Sequence, residues 1–281
     1  MLATAERAAL VTADDIAAFE RDGVVCIRNL IGADWVARLR QAVERNMKSP
    51  GPWHRGITKS GAPGNFYYDS MMWRFDADFR DYVLSSPAAQ VAGTLMRSKA
   101  VRFFYDQLFI KEPGTLDPMP WHHDLPYWPF RGSQVCSIWL AVEDVDRDSS
   151  GVEFVAGSHL SGKWFRPILP YNDNAKFDNL ALEECPDYST RRDDPNVHLL
   201  SWDMRAGDAL VFNALTVHGS GGNTRMKHRR TGLATRWLGD DTVWDPRPAT
   251  ATYYYEPDGP GLQPGEKIGG PHFPELWRRG D

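Results

Sequence analysis

The chain has 281 residues, of which 42% are hydrophobic and 25% charged, the balance of an ordinary globular protein with one sizeable core. A net charge of -5 argues against nucleic acid or an anionic membrane surface as the bulk partner. No apolar stretch reaches the roughly 20 residues that span a bilayer, and the N-terminus lacks the pattern of a secretory signal. The three cysteines are widely spaced, so we expect free thiols and a cytoplasmic location.

The N-terminal third of the chain carries the helical signals. Thr12, followed by acidic residues, is typical of a helix start, and Gly23 is typical of a helix end. Val24–Ile27 then has the composition of a short strand. A second amphipathic helix is predicted from Ala33 to about Met47, and a third over Phe79–Arg97 with an interruption at its internal proline.

Between the second and third helices, Ser49–Asn65 is rich in Gly and Pro and is predicted to be a loop. A structureless connection of this length is unusual inside a compact domain, which favours a functional loop. Trp53 and Ile57 are apolar groups within it that need a surface to cover. We therefore expect an active-site lid, with a passive surface loop as the alternative.

From Val101 onward the pattern changes to short strands separated by Gly and Pro turns. The predicted strands are Val101–Lys111, Gln134–Val142, Ala209–Phe212 and Thr231–Leu238. Alternation along the first strand predicts one face made of Phe103, Tyr105, Gln107, Phe109 and Lys111. Such a series is typical of a mainly β fold, the double-stranded β-helix or cupin-like jelly roll, here with flanking N-terminal α-helices. We expect a single domain over 1–281, with a helical part at about 12–97, a jelly-roll core at about 101–240 and a coil extension at 241–281 around the barrel.

Two separated motifs carry the chemistry. The first is Trp121-His122-His123-Asp124, and the second is His218, followed by Arg229. Two imidazoles and one carboxylate on one wall form the facial triad that holds non-haem Fe(II) and leaves coordination positions open. An arginine near such a site supplies a bidentate clamp for an organic carboxylate. Together these residues predict an iron-dependent oxygenase with a keto-acid cosubstrate.

The first motif offers a choice between adjacent histidines. In an extended segment successive side chains project to opposite faces, so His122 and Asp124 share a face while His123 points away. We therefore predict that His122, Asp124 and His218 are the metal ligands. A His-x-Asp pair alone is a weak signal, and a surface histidine beside a turn aspartate is the alternative interpretation.

Longer blocks of sequence surround these residues. They run from about Phe19 to Trp237 and include Leu108–Gly114, Trp121–Phe130, Trp139–Val145, Gly151–His159 and His218–Asn223. In content and order these blocks resemble the phytanoyl-CoA dioxygenase family. Several ordered blocks are far more specific than any one of them.

The resemblance implies Fe(II), 2-oxoglutarate and O2 as cofactor and cosubstrates. It implies that 2-oxoglutarate chelates the iron and that Arg229 pairs with its distal carboxylate, helped by the Ser220 hydroxyl. Alternation sets Arg229 and Arg230 on opposite faces, and the family spacing selects Arg229. The remaining cosubstrate positions are Gln107, Lys111 and Trp139. The alternative for Lys111 is a solvated lysine at the end of a strand, and the alternative for Trp139 is an ordinary core residue.

Asp124 also bears on the expected reaction. Related halogenases carry a small residue in its place so that chloride can bind, whereas a carboxylate favours hydroxylation of an unactivated C–H bond with release of succinate and CO2. Desaturation, cyclisation and epimerisation use the same triad and stay open. A cupin-like metalloenzyme without 2-oxoglutarate is a further alternative. A non-catalytic binding module is the last, and an intact triad with its arginine argues against it.

Aromatic residues near the motifs bear on the substrate. We expect a substrate pocket with aromatic walls, which favours a hydrophobic or ring-containing small molecule. Its expected lining residues are Tyr67, Tyr68, Trp73, Tyr127, Trp128 and Phe130. An acyl-CoA, which the family name suggests, is the alternative, although no basic cluster for its phosphates is evident. We expect no nucleic-acid or membrane partner, and a monomer or a homodimer.

Overall fold

Two antiparallel sheets form the body of the molecule. The computed structural model describes residues 10–57, 63–170, 174–178, 180–255 and 258–280. The strands of the larger sheet are β1 (Val24–Ile27), β2 (Arg55–Ile57), β3 (Phe66–Ser70), β4 (Ala100–Lys111), β7 (Val135–Ala141), β10 (Ala209–Asn213), β12 (Arg230–Leu238) and β14 (Glu275–Arg278). Their order is β1-β10-β7-β12-β4-β3-β2, and β14 pairs with the first residues of β4.

The smaller sheet contains β5 (Met119–His122), β8 (Val152–Val155), β9 (Leu199–Leu200) and β11 (His218–Ser220) in the order β5-β11-β8-β9. A separate two-stranded pair joins β6 (Phe130–Arg131) to β13 (Val243–Trp244). One buried cluster combines Trp139, Leu210 and Ala234 of the larger sheet with Val152 and Phe154 of the smaller one. The two sheets therefore pack face to face, as the predicted jelly roll requires.

In the part of the chain that the structure describes, four α-helices cover the other face of the larger sheet. They are α1 (Ala13–Asp22), α2 (Ala33–Lys48), α3 (Ala77–Ser85) and α4 (Ala88–Leu95). The largest buried cluster joins helix residues such as Leu39 and Phe79 to Ile138, Leu233 and Trp237 of the sheet. No helix among the residues that the structure describes is long and apolar enough to cross a membrane.

The helix signals of the sequence are confirmed. The Thr12 side chain accepts a hydrogen bond from the Asp15 backbone, and Gly23 ends α1 with a φ of 79°, a left-handed conformation that glycine adopts without strain. The helix predicted over Phe79–Arg97 is two helices, because Pro87 lies between α3 and α4 and cannot donate a helical hydrogen bond.

One strand face differs from its prediction. Between β12 and β4 the pairing shifts, so that Thr235 lies opposite Asp106 while Trp237 lies opposite Phe103. The extra residue on β4 reverses the alternation. Phe103 therefore packs against Trp237 on the helix side of the sheet, whereas Tyr105 faces the opposite side.

Two segments predicted to be coil contribute strands. Ser49–Asn65 contains β2, which pairs with β3, while residues 58–62 and the Ile57 side chain lie outside the described part. The stretch 241–281 contains β13 and β14, and β14 extends the larger sheet beside β4. Backbone pairing with a neighbouring strand decides both cases, and local composition carries no signal for it.

Candidate active site

Strand pairing brings the two predicted histidine ligands together. His122 ends β5 and His218 begins β11, and the two residues lie directly opposite in the antiparallel ladder. Their ring centroids are 4.3 Å apart. Residues far apart in the chain thus meet because the smaller sheet places the end of one strand beside the start of another.

Hydrogen bonds orient both imidazoles. His122 Nδ1 lies 2.7 Å from the Pro120 carbonyl oxygen, and His218 Nδ1 lies 2.9 Å from that of Thr216. A carbonyl can only accept, so each Nδ1 carries the proton and donates it. Each Nε2 is left with a free lone pair, the form in which a histidine binds a metal.

Asp124 completes the cluster from the turn after β5. Its Oδ2 accepts a hydrogen bond of 2.7 Å from the Ser137 hydroxyl on β7. Its Oδ1 lies 3.7 Å from His122 Nε2 and 3.9 Å from His218 Nε2. The serine therefore holds one carboxylate oxygen and leaves the other facing both imidazoles.

The protonation states suit a divalent cation. Burial lowers the pKa of His218 to about 3 and also lowers the pKa of His122, so both rings are neutral at pH 7. Burial by itself would raise the pKa of Asp124, but His218 and Arg236 outweigh it and lower that pKa. The ligand atoms of these three buried residues lie within 4.8 Å of one another.

His123 has a different environment. Its Nε2 accepts a hydrogen bond of 2.8 Å from the Phe165 backbone N–H, and its Nδ1 lies 3.3 Å from the Leu215 carbonyl oxygen. Both ring nitrogens are engaged with backbone, and His123 does not belong to the His122–Asp124–His218 cluster. Its position agrees with the alternation from which we predicted His122 as the ligand.

Two cavities meet at this cluster. A narrow cleft of about 50 Å³ is lined by His122, Asp124 and His218 together with Trp139, Ser220 and Arg230. A wide cavity of about 560 Å³ begins on the other side of His122 and Asp124. Arg236 borders both.

Arg229 lies away from the metal cluster. Its side chain donates hydrogen bonds to Glu44 and Met47 of α2, on the helix side of the larger sheet, and lines neither cavity. Alternation puts Arg229 on the same side as Leu233, and that side packs against the helices. Alternation identifies which residues share a face and not which of the two faces carries the site.

Arg230 occupies the place that we had predicted for its neighbour. It is buried in the narrow cleft, where it donates to Ser150 Oγ at 3.1 Å and lies 5.4 Å from the centre of the Trp139 ring. Its Nε has no hydrogen-bond partner, and no carboxylate of the described residues lies within ion-pair distance of it. Burial lowers the pKa of Arg230 to about 9, which leaves the guanidinium charged at pH 7.

Three further predicted residues meet in or beside this cleft. Lys111 lies opposite Arg230 on β4, is fully buried, and donates to Ser220 Oγ at 3.3 Å and to the Gly221 carbonyl oxygen at 2.6 Å. Burial, reinforced by the charge of Arg230, lowers the pKa of Lys111 well below its usual range. Ser220 and Trp139 line the cleft.

Gly232 makes room for Trp139. A Cβ atom at position 232 would lie 2.0 Å from the Trp139 ring, closer than any real contact. The indole therefore lies against the bare backbone of β12, where it lines the narrow cleft beside Arg230.

Many aromatic side chains line the wide cavity. Of the aromatic residues predicted from the sequence, Tyr68, Tyr127 and Trp128 line it, whereas Tyr67, Trp73 and Phe130 pack into buried clusters. Gln107 also lines it, rather than the narrow cleft. Further aromatic walls are Tyr105, Phe109, Phe177 and Tyr254, together with Trp53 of the predicted lid.

Arg236 is a further residue that the sequence prediction missed. It is 4% exposed and lies within a strand of which every residue is buried, and it borders both cavities. A charged residue inside such a strand was a readable signal, because burial of a charge is costly unless a function requires it.

Comparison with known proteins agrees with the fold and the cluster. The family model described as phytanoyl-CoA dioxygenase (PhyH) matches residues 19–232. The peroxisomal phytanoyl-CoA dioxygenase of Rattus norvegicus is 27% identical over 239 residues, which are 75% of this chain and 64% of the rat protein. This chain therefore spans less than two thirds of the length of that relative.

Solved structures share the architecture. The epimerase SnoN, in complex with Fe3+, alpha ketoglutarate and nogalamycin RO, matches with a TM-score of 0.72 and 22% identity, covering 94% of this chain and 98% of its own. The carbocyclase SnoK matches with a TM-score of 0.73 and 20% identity, covering 95% and 97%. The double-stranded β-helix is thus confirmed, and with the family model covering most of its length, the chain belongs to the phytanoyl-CoA dioxygenase family.

Proposed function

We propose that this protein is a 2-oxoglutarate-dependent non-haem iron oxygenase that oxidises a C–H bond of a small, ring-containing molecule. One observation carries the proposal: the His122–Asp124–His218 cluster lies where a narrow cationic cleft meets a wide aromatic cavity. The reaction needs a metal with a keto acid on one side and an organic substrate on the other.

The residues present fit Fe(II). Two neutral imidazoles and one ionised carboxylate are its usual protein ligands, and here they are pre-oriented by Pro120, Thr216 and Ser137. His122, Asp124 and His218 would hold the ion, which supplies the oxidising chemistry when bound together with 2-oxoglutarate and O2. The protein contributes orientation and a site from which water can be excluded.

The narrow cleft fits the distal carboxylate of 2-oxoglutarate. Arg230 offers a buried guanidinium whose Nε has no hydrogen-bond partner among the described residues, and Lys111 adds a buried amine beside it. An anion bound between them would favour the charged form of Lys111, and a planar carboxylate can accept two parallel hydrogen bonds from a guanidinium. Ser220 and Trp139 would complete this subsite, and we withdraw Arg229 from it.

The wide cavity fits the organic substrate. Its volume of about 560 Å³ lies within the range of small-molecule sites, and its aromatic walls suit a ring system. Hydroxylation stays our first choice because Asp124 is present. Epimerisation or ring formation is the alternative, because the structural neighbours named above are an epimerase and a carbocyclase.

An anaerobic titration tests the proposal. Addition of Fe(II) and then 2-oxoglutarate should produce the weak visible absorption band of the iron chelate, and O2 should then yield succinate. A panel of free ring-containing acids and alcohols, compared with acyl-CoA thioesters, should show which class accelerates succinate release. Formation of product without any keto acid would favour the cupin-like alternative, and absence of both iron binding and succinate would refute the proposal.

Three further expectations stay proposals. The three cysteines are free, which agrees with a reducing compartment such as the cytoplasm. Size-exclusion chromatography would distinguish a monomer from a homodimer. The lid proposed for Ser49–Asn65 is supported by Trp53, which lines the wide cavity. The centre of its ring lies 5.5 Å from the ring centre of Tyr254. Limited proteolysis with and without ligands would test it, since a lid should become protected.

A further inference from the structure

Arg236 borders both cavities, but two of its three ring contacts belong to the wide cavity alone. Its guanidinium lies 4.7 Å from the ring centre of Tyr105 and 5.9 Å from that of Trp128. Both rings line the wide cavity and neither lines the narrow one. The partners of Arg230, by contrast, are Ser150 and the cleft residue Trp139.

The hydrogen bonds of this guanidinium are incomplete. One terminal nitrogen donates to the Ala234 carbonyl oxygen at 3.0 Å and the other donates to Gln107 Oε1 at 3.0 Å. The Nε–H has no partner among the residues that the structure describes. A guanidinium has five N–H donors, so several remain for a ligand.

Arg236 also has no direct ion pair among the described residues. No carboxylate in the described part of the chain lies within ion-pair distance of it, although its side chain is almost wholly buried. Asp124 is the single acid among the described wall residues of the wide cavity, and a bound metal would neutralise its charge. Arg55 and Lys176 add further positive charge to the same walls. A buried cation without a counter-ion is costly, which favours an anionic ligand.

Resting on the proposed function, we infer that the substrate of this site is a ring-containing organic acid whose carboxylate pairs with Arg236. The aromatic walls would hold the ring system, and the guanidinium would fix its orientation beside His122 and Asp124. Gln107 is then a positioning residue, because its Oε1 holds one end of the guanidinium in place. Arg236 is the residue that determines specificity for an acid.

A comparison of acids with their amides tests the inference without knowledge of the natural substrate. The probes are benzoate, 2-naphthoate and anthracene-2-carboxylate, each paired with its neutral amide. Calorimetric titration uses protein already loaded with Fe(II) and saturating 2-oxoglutarate under anaerobic conditions, so that the narrow cleft is filled. In at least one pair the acid should bind about ten-fold or more tightly than the amide.

A high salt concentration distinguishes a buried ion pair between Arg236 and the carboxylate from attraction to charges on the protein surface. The preference contributed by exposed Arg55 should fall at high ionic strength, whereas that contributed by Arg236 should persist at about 0.5 M salt. Equal binding of acid and amide in every pair, or no binding of any probe at millimolar concentration, would overturn the inference.

Variants assign the preference to one residue. Arg236→Gln should remove the preference for the acid while the iron chelate band with 2-oxoglutarate still forms, and Arg236→Lys should keep part of it. Arg229→Gln, a matched loss of charge on the opposite face of the sheet, should change neither. If Arg236→Gln folds poorly, the comparison of acid with amide in the wild-type protein and in Arg236→Lys still tests the inference.

The outcomes also separate this inference from the proposed function. Loss of 2-oxoglutarate binding in Arg236→Gln, with acid preference unchanged, would make Arg236 a cosubstrate residue and overturn the inference alone. Failure of the wild-type protein to form the iron chelate would refute the proposed function. The acid–amide comparison would then be repeated on the metal-free protein, where Arg236 should still favour the acid.

Discussion

The two cavities are built from different parts of the chain. Apart from Asp124, every residue that lines the narrow cleft lies on a strand of one of the two sheets. The wide cavity takes much of its wall from connections and from the C-terminal stretch, through Trp53, Ile168, Phe177, Ala249 and Tyr254. Both cavities are lined by some of the same residues of β4, β5 and β12, among them His122 and Arg236.

This difference suggests that the strands hold the groups that carry out the reaction and that the loops determine substrate specificity. Strand residues are held by ladder hydrogen bonds and by packing on both faces, so the groups that would bind metal and cosubstrate have little freedom. Residues that line a cavity from loops can be substituted without disrupting the sheet, and for this reason proteins of one fold can act on many substrates. Changes in the cleft should therefore abolish the reaction, whereas changes in the cavity walls should alter substrate choice.

The largest effect is expected at the metal cluster. Loss of a group that merely orients a metal ligand costs about 10–100-fold, so loss of the ligand itself in His122→Ala should lower turnover by more than about 100-fold and remove the iron. His123→Gln should keep the iron but lower the melting temperature, because its ring nitrogens bond the Phe165 and Leu215 backbone. Metal analysis and a thermal melt check both. Iron loss in His123→Gln with iron retained in His122→Ala would contradict our ligand assignment.

The next largest effect distinguishes two adjacent arginines. Arg230→Met leaves a buried carboxylate without its partner, a cost of about 2–5 kcal/mol, and should raise the apparent constant for 2-oxoglutarate about thirty-fold or more. Arg229→Met removes an ion pair with the half-exposed Glu44 and should change stability by less than about 1 kcal/mol. Titration of the chelate band in both variants measures the contrast. Equal constants in the two variants would remove Arg230 from the cosubstrate site.

A smaller effect is expected from crowding within the cleft. Gly232→Ala places a methyl group against the Trp139 ring, which should cost about 1–3 kcal/mol of stability and weaken 2-oxoglutarate binding. Trp139→Phe in the Gly232→Ala background should recover part of the stability. Gly221→Ala, whose Cβ would meet no described atom within 4 Å, is the control for denaturation and titration. A Gly232→Ala protein as stable as the wild type would show that Trp139 can move aside.

The smallest effect concerns a wall of the wide cavity. The Tyr127 hydroxyl accepts from the Ile168 N–H at 2.7 Å and donates to the Ile168 carbonyl oxygen at 2.5 Å. Tyr127→Phe removes both bonds, at about 1 kcal/mol each, and should speed hydrogen exchange near Ile168 while the chelate band is unchanged. Tyr67→Phe loses a comparable bond to Asn46, away from both cavities, and should leave that exchange unaltered. If the two variants exchange alike, Tyr127 does not hold this wall.

Much of the active site could be predicted because its signals are local. The alternation of side chains along an extended segment separates His122 from His123, and the order of motifs implies the fold. The predicted strands agree closely in their bounds with β4, β7, β10 and β12. Lys111 was predicted despite its total burial, because it shares a strand face with residues beside the motif.

Other parts needed the folded chain. Alternation predicted that Arg229 and Arg230 face opposite ways, and only the packing of helices on one face of the larger sheet shows which arginine enters the cleft. The reversal of the face at Phe103 depends on one extra residue in β4, which is defined by its pairing with β12.

The amino-acid sequence by itself determined the metal-binding chemistry, which neighbouring residues share a face in most strands, and the fold class, because these follow from residue type, alternation and the order of motifs. The tertiary structure alone decided which face is inward, that Arg230 and Arg236 are buried without an ion-pair partner among the described residues, and that Trp53 and Tyr254 share a cavity. The physical reason is that burial and charge compensation are properties of surfaces brought together from distant parts of the chain. A linear pattern shows which residues lie on the same side, and packing determines what that side faces.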